Sequence, residues 1–447
     1  TKRSIFKIAQ VIRMMLRSIA IAVFGIFTCH AFSATAPVRE YPLHYQIQFQ
    51  PDQQNALVEI RLINARPVKK IRFAFGKLAC SNFASDNKLV EETGHVTWYP
   101  EGTNARFHYQ CKIDHKRQNS NHSDSYDAYI SKDFVIVRGD DLVPPARVTA
   151  LKHSESRATM TIVLPSGWNA VNSGWPSNRR GAKAHSSKPL FFINDPERKF
   201  DRPIGWIIAG KLGTRRAQVG EQDGNFHHTE LSVSAPLNSD MRRMDILTFL
   251  SMVWPQIQKA FVDTPERITI VGGNDPLWRG GLSATNSLYL HADRPMVSEN
   301  GTSSVLHEIF HVVTRIHGGP KDDWIAEGLA EYYSVQLLLR SGAHNEKRYQ
   351  SVMANLQHWC ADVKYLRKAQ STGATTAAAV LLFADLDREI QTRSKGTKSL
   401  DDLVRILMRQ RTIDLALLQK DVQQLLGNPS QVLAQSALLA EPKAPTP

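Results

Sequence analysis

The sequence has 447 residues, room for two or three domains with ample core, and apolar and charged fractions of 42% and 22% that are those of a soluble globular protein. The formal net charge of +13 does not point to nucleic acid. Lys2, Arg3, Lys7, Arg13 and Arg17 supply five of those charges, and the +8 beyond them is spread with no helix-long basic stripe or interleaved aromatics.

The first 34 residues read as an export leader. Arg13 and Arg17 flank Met14 and Met15, either of which would begin an ordinary signal, and the apolar run Ile19 to Phe27 follows. Ala31-Phe32-Ser33 then offers small residues where a signal peptidase reads, so cleavage is expected near Ser33 or Ala34. The run is short for a bilayer, and no stable membrane span is expected after signal removal. The expected location is periplasmic or secreted; an uncleaved anchor is the alternative. Cys29 has no lipid-attachment context, because Ile26-Phe27-Thr28 precedes it.

Residues 39–235 read as a β-rich, antiparallel domain. YPLHYQIQFQ, NALVEIRLIN, KKIRFAFG, HVTWYP and ARFHYQCKID alternate apolar and polar between Pro, Gly, Asn and Asp clusters. Cys80 and Cys111 both fall in such runs, and a disulfide between them suits an exported chain. Residues 172–187, rich in Ser, Gly, Arg and Lys, read as an exposed loop.

A second domain is expected over 240–430. Asp245 to Phe261 predicts a helix that Pro255 should kink or divide. RITIVGG and NSLYLHA predict strands. The stretch Trp278 to His291 could offer an open sheet edge to a peptide backbone, and its Gly280-Gly281 turn permits close approach. An ordinary core strand with a tight turn is the competing reading.

His-Glu-Ile-Phe-His follows at 307–311. Val305, Ile309, Val312, Val313 and Ile316 make a helical apolar stripe, with N-cap hydroxyls at Thr302, Ser303 and Ser304. Residues i and i+4 stack on one helix face, so His307 and His311 form a chelate for Zn²⁺. Glu308, one residue round, is placed to act on the attacking water rather than on the ion. His317-Gly318-Gly319-Pro320 breaks this helix, and Trp324 to Leu339 predicts a second, antiparallel one. That pair would return Glu327, after fifteen intervening residues, to His311 as the third ligand. Glu331, one turn further, could fix a ligand imidazole from behind; a solvated surface carboxylate is the bland alternative. Further helices are expected at about 346–366, 375–393, 399–409 and 412–426, with N-caps at Ser399 and Thr412. Residues 431–447 are expected to form an unstructured tail. Cys360 reads as a buried thiol.

His307-Glu308-x-x-His311 with Trp324-x-x-Glu327-Gly328 resembles the gluzincin metallopeptidases and is most similar to the glycyl aminopeptidase family. Gly280-Gly281-Leu282 falls where that family carries a Gly-Gly turn before its zinc helix. Asp387-Arg388-Glu389-Ile390 and Ser399-Leu400-Asp401-Asp402 look like its C-terminal helices. The resemblance covers about 240–410 well. It implies an α+β chain whose β-domain precedes a thermolysin-like, mainly helical catalytic domain. One zinc ion would be held by His307, His311 and Glu327, with Glu308 as general base. Ser283 stands where relatives often place an amine-binding glutamate, and Thr375 to Ala379 where a tyrosine that steadies the oxyanion is expected. Gly280, Gly281, Ser283, Tyr289 and His291 are the substrate-side candidates, and Tyr289, His291 or Tyr365 could stand in for the tyrosine. The expectation is thus an exported zinc metallopeptidase, aminopeptidase-like, acting on a peptide or protein. One alternative is a catalytically impaired zinc-binding relative that holds peptides or envelope partners. Another is a metal-free envelope scaffold.

Overall fold

A computed structural model describes residues 39–76, 78–117, 125–178, 189–194, 200–221 and 227–440. The expected leader, 1–34, lies outside them, as do 179–187 of the expected exposed loop and 441–447 of the expected tail. Among the described residues no helix is long and apolar enough to cross a membrane.

Three sheets of six, five and four strands build the first part among the described residues. Alternation drives them. In Arg39–Gln50 the inward set is Tyr41, Leu43, Tyr45, Ile47 and Phe49, all buried. Antiparallel pairing with Asn55–Asn64 sets Leu43 opposite Leu62, Tyr45 opposite Ile60 and Ile47 opposite Val58, so both apolar faces point the same way. Cys80 lies opposite Cys111 on neighbouring strands, and the two are disulfide-bonded. Ala170–Ser173, at the start of the expected loop, is a strand, and the Asn172 amide donates to Ser232 and Ser234.

Strands Leu212–Val219 and Thr229–Pro236, expected with the first part, instead open a five-stranded mixed sheet in the order 212–219, 229–236, 267–273, 287–291, 281–284. Thr229–Pro236 runs parallel to Arg267–Gly273, which runs parallel to Ser287–His291. Parallel neighbours need a long crossover, and helix Arg243–Phe261 supplies the first. This helix continues through Pro255 rather than dividing there; Leu250, Val253, Trp254 and Ile257 bury its inner face against the sheet and hold it together. The edge strand Gly281–Ala284 pairs antiparallel with Ser287–His291 and has no strand on its other side among the described residues.

Helices then take over: Ser304–Thr314, Asp323–Arg340, Glu346–Trp359, Ala374–Arg393, Leu400–Leu407 and Leu415–Leu426. Gly328 lets two of them cross closely, since a Cβ there would lie 2.5 Å from Ala379 Cβ. Tyr332 donates to Asp387 (2.8 Å) and Tyr333 to Asp401 (2.7 Å), which also pairs with Arg340. Asp387 accepts the Leu400 N–H as well, so the Asp-x-x-Ile and Ser-Leu-Asp-Asp segments brace the helix that carries Glu327. The Leu415–Leu426 helix is capped by Asp414, not by Thr412, which sits in a two-residue strand beside His317-Gly318. Cys360 is half-buried, at the end of a helix that stops at Trp359.

Residues 431–440 are ordered, contrary to the expected tail: Gln431–Gln435 is helical, and Leu433 and Leu439 are buried. Glu389 holds this segment, accepting from the Ser430 hydroxyl and the Gln431 and Val432 amides. Burial pushes its carboxyl up, yet these bonds and Arg393 outweigh that and hold it below its ordinary 4.5. A depressed folded pKa gives stability that is full above the unfolded value and is lost as pH falls through the folded one. Acidification below about pH 4 should therefore free the 431–440 segment before the main core opens. Glu389→Gln should free it at neutral pH, both read as lost amide-exchange protection confined to 431–440.

Candidate metal centre and cleft

Helix Ser304–Thr314 begins where the Ser303 hydroxyl accepts the Leu306 N–H. Its buried stripe of Val305, Ile309, Val312 and Val313 fixes rotation about the helix axis. His307 and His311 consequently face the cleft from consecutive turns, rings 4.9 Å apart. Gly318 and Gly319 let the chain reverse, and Asp323–Arg340 returns Glu327 to both imidazoles.

The donor atoms converge. His307 Nε2 lies 3.2 Å from His311 Nε2 and 3.3 Å from a Glu327 oxygen, whose other oxygen is 3.4 Å from His311 Nε2. Four-coordinate zinc at about 2.0–2.1 Å from its ligands sets donors about 3.3–3.4 Å apart. Two imidazole nitrogens and a carboxylate at these separations fit the ion in number and type. Behind the cluster, His307 Nδ1–H donates to Glu331 at 2.9 Å, which leaves Nε2 as the nitrogen that faces the cleft. Glu331 is thus an imidazole partner rather than a solvated carboxylate.

Electrostatics follow from burial. Desolvation opposes a charge on His307, but Glu327 and Glu331 outweigh it and raise its pKa well above the ordinary value. Desolvation, then the neighbouring His307, takes His311 down to about 3. Glu327 is lowered, since the two imidazoles overcome the cost of its burial. Glu308 is raised by burial, with His307 and Ser283 pulling the other way.

Glu308, 9% exposed, lies under the edge strand. A Cβ on Gly281 would stand 2.9 Å from Glu308 Cγ and 3.1 Å from one of its oxygens, so only glycine lets this strand seat the carboxylate. Gly281→Ala should lower kcat by about tenfold or more through displacement of that carboxylate. Peptide-cleavage kinetics beside metal analysis checks this, zinc content being expected to hold.

A cleft of about 790 Å³ opens over the cluster, lined by Gly281 to Thr285, by His307, Glu308, His311 and Glu327, and also by Arg138, Asp140, Arg315 and Arg411. Gly281 and Ser283 of the substrate-side candidates are there. Gly280, Tyr289 and His291 are not. Gly280 packs on the Trp278 ring. Tyr289 points away, its hydroxyl donating to the Trp278 carbonyl and its ring against Trp206. His291 is buried, its Nδ1 accepting the Asp293 N–H. Both sit on a strand with neighbours on either side, so their side chains serve the sheet's interior. Tyr365 is not in the lining either, and among the described residues no tyrosine is. Arg315 escaped the sequence reading although its spacing from His311, again four residues, carried the signal.

No family model and no curated protein matches the sequence. Solved structures do match the fold. An aminopeptidase N family protein from Idiomarina loihiensis is 15% identical, with a TM-score of 0.59 over 82% of this chain and 70% of that one. An M1 zinc metallopeptidase from Deinococcus radiodurans is 14% identical, with a TM-score of 0.58 over 91% and 94%. A Glu-to-Ala mutant from the same organism, bound to a Tyr-Ser-Ala substrate, is 15% identical, with a TM-score of 0.56 over 92% and 96%. These identities speak for architecture, and the architecture is that of the M1 zinc metallopeptidases.

Proposed function

We propose that the protein is a zinc metallopeptidase in which His307, His311 and Glu327 hold one zinc ion and Glu308 is the general base. The observation that carries this is the convergence of the two imidazoles and the Glu327 carboxylate, with an Nε2–Nε2 distance of 3.2 Å and each Nε2 3.3–3.4 Å from a carboxylate oxygen, beside a buried carboxylate that is not part of the set. Zinc in such a site lowers the pKa of a bound water and polarises a carbonyl. The chain's own residues do the rest. The edge strand Gly281–Ala284 offers its backbone to an extended peptide. Glu308 takes a proton from the attacking water and passes it to the leaving amine. Glu331 keeps His307 in one tautomer. The M1 neighbours support the peptidase reading, and one of them carries a bound tripeptide substrate. A narrower affinity to the glycyl aminopeptidases, with a thermolysin-like catalytic domain, rests on Gly280-Gly281-Leu282 and the Asp387 and Asp401 segments. Action from the periplasm or outside the cell rests on the leader.

A peptide-library digest with and without chelator tests the reading. Chelator-sensitive cleavage, restored by zinc, is the expected result. Peptide binding without products at full zinc occupancy would replace it with a peptide-holding protein. No zinc uptake at all would leave a scaffold.

A further inference from the structure

We propose that the cleft recognises a substrate carboxylate, about two or three residues along from the bond to be cut, at the guanidinium of Arg315. The inference rests on the peptidase reading above and names the substrate class of that same site.

Arg315 is the next step in the row that carries His307 and His311, four residues on, and caps the metal helix with its N–H on the His311 carbonyl. Its backbone is left-handed (φ 53°), a conformation that glycine usually supplies at a helix end. Asn286, in the turn that ends the edge strand, is left-handed as well (φ 51°). The Arg315 guanidinium donates to the Asn286 side-chain oxygen at 3.0 Å. Two residues of left-handed backbone thus meet where an extended peptide, laid along Gly281–Ala284 from Glu308, would arrive.

Charge around the cleft singles this arginine out. Asp140 is taken up by Arg202, Arg138 and the Gly205 N–H. Asp323 accepts the Ser371 N–H. Glu308 and Glu327 belong to the metal centre. Among the described residues Arg315 faces a neutral amide and has no ion pair, while Arg411 adds positive charge to the same lining. A guanidinium offers five donors and one is used here, so a planar carboxylate can be held by two others. The edge strand has Ser283 where an acid could have held a free amine, consistent with a site that reads negative rather than positive charge. A cation closing a helix C-terminus would by itself explain an arginine, but that role predicts no preference among substrates.

The test measures binding to zinc-loaded Glu308→Gln protein of matched short peptides. One pair differs in a C-terminal acid or amide, and another in a Glu or Gln at each position. Removing one particular carboxylate should weaken binding about 10- to 100-fold. The arm that responds tells a chain-terminal carboxylate from an acidic side chain. Arg315→Gln should bring the ratio toward one. Asn286→Asp, nearly isosteric and tolerant of a left-handed backbone, should do the same by giving the guanidinium a resident carboxylate. Equal binding of every pair, or a ratio unchanged in both variants, overturns the proposal. Wild-type turnover of the same peptides separates the two levels. Cleavage with no carboxylate preference in binding removes this inference alone. Carboxylate-dependent binding without any cleavage removes the peptidase reading and leaves the carboxylate site standing.

Discussion

Glu308→Gln should lower kcat on a cleaved peptide by about 10²- to 10⁴-fold, the range of a lost general base, while zinc content stays at the wild-type value. The glutamine side chain has the same shape, so it still fits beneath Gly281, where there is room for the carboxylate and for no added Cβ. On the proposed reading the ligand atoms come from His307, His311 and Glu327, none of which is altered. What disappears is a proton acceptor. Burial raises the Glu308 carboxyl above its ordinary value, toward the pH at which a base both stays ionised and accepts a proton readily. Steady-state kinetics with elemental analysis of the same sample decides the matter: an undiminished kcat would take Glu308 out of the chemistry, and lost zinc would make it a structural support of the site.

The clustering of His307, His311 and Glu327 was legible because its parts are local. A four-residue spacing stacks two imidazoles whatever the rest of the chain does, and a Gly-Gly-Pro break followed by a second helical run announces a returning helix. Glu331 was harder, since its partner atom, His307 Nδ1, depends on how two helices cross. The tyrosines of the glutamate helix look interchangeable in sequence, yet each reaches its own aspartate, Tyr332 to Asp387 and Tyr333 to Asp401.

The misreadings share a cause, which is that alternation fixes a strand but not its neighbours. Leu212–Val219 and Thr229–Pro236 have the same alternating texture as the strands before them. Their sheet is decided by the crossover helix Arg243–Phe261, which brings Arg267–Gly273 alongside. Likewise, Tyr289 and His291 were attractive because they follow the Gly-Gly turn. The open edge is Gly281–Ala284, so the strand that bears them is interior and their side chains are buried. Residues 431–440 contain little periodicity, and what orders them, the Glu389 carboxylate, is about forty residues away in sequence.

His307→Ala should abolish measurable zinc retention, whereas Glu331→Gln should weaken zinc affinity only about 10- to 100-fold, as expected for the partner of a ligand imidazole. The contrast follows from what each removes. Without His307 the remaining donors are His311 and Glu327, two ligands where a catalytic zinc needs three. Without the Glu331 charge the imidazole remains, but its Nδ1–H faces a neutral acceptor and its Nε2 becomes less basic. The sign of the pH dependence comes from the same contact. Although burial disfavours it, Glu327 and Glu331 raise the His307 pKa in the metal-free protein, so a proton occupies the site that zinc must take. Zinc uptake should therefore release protons and weaken as pH falls, and Glu331→Gln, by making that proton easier to remove, should release fewer. Calorimetric titrations in buffers of differing ionisation enthalpy count the protons directly. Equal proton counts in wild type and Glu331→Gln, with equal affinities, would reduce the Glu331 contact to packing.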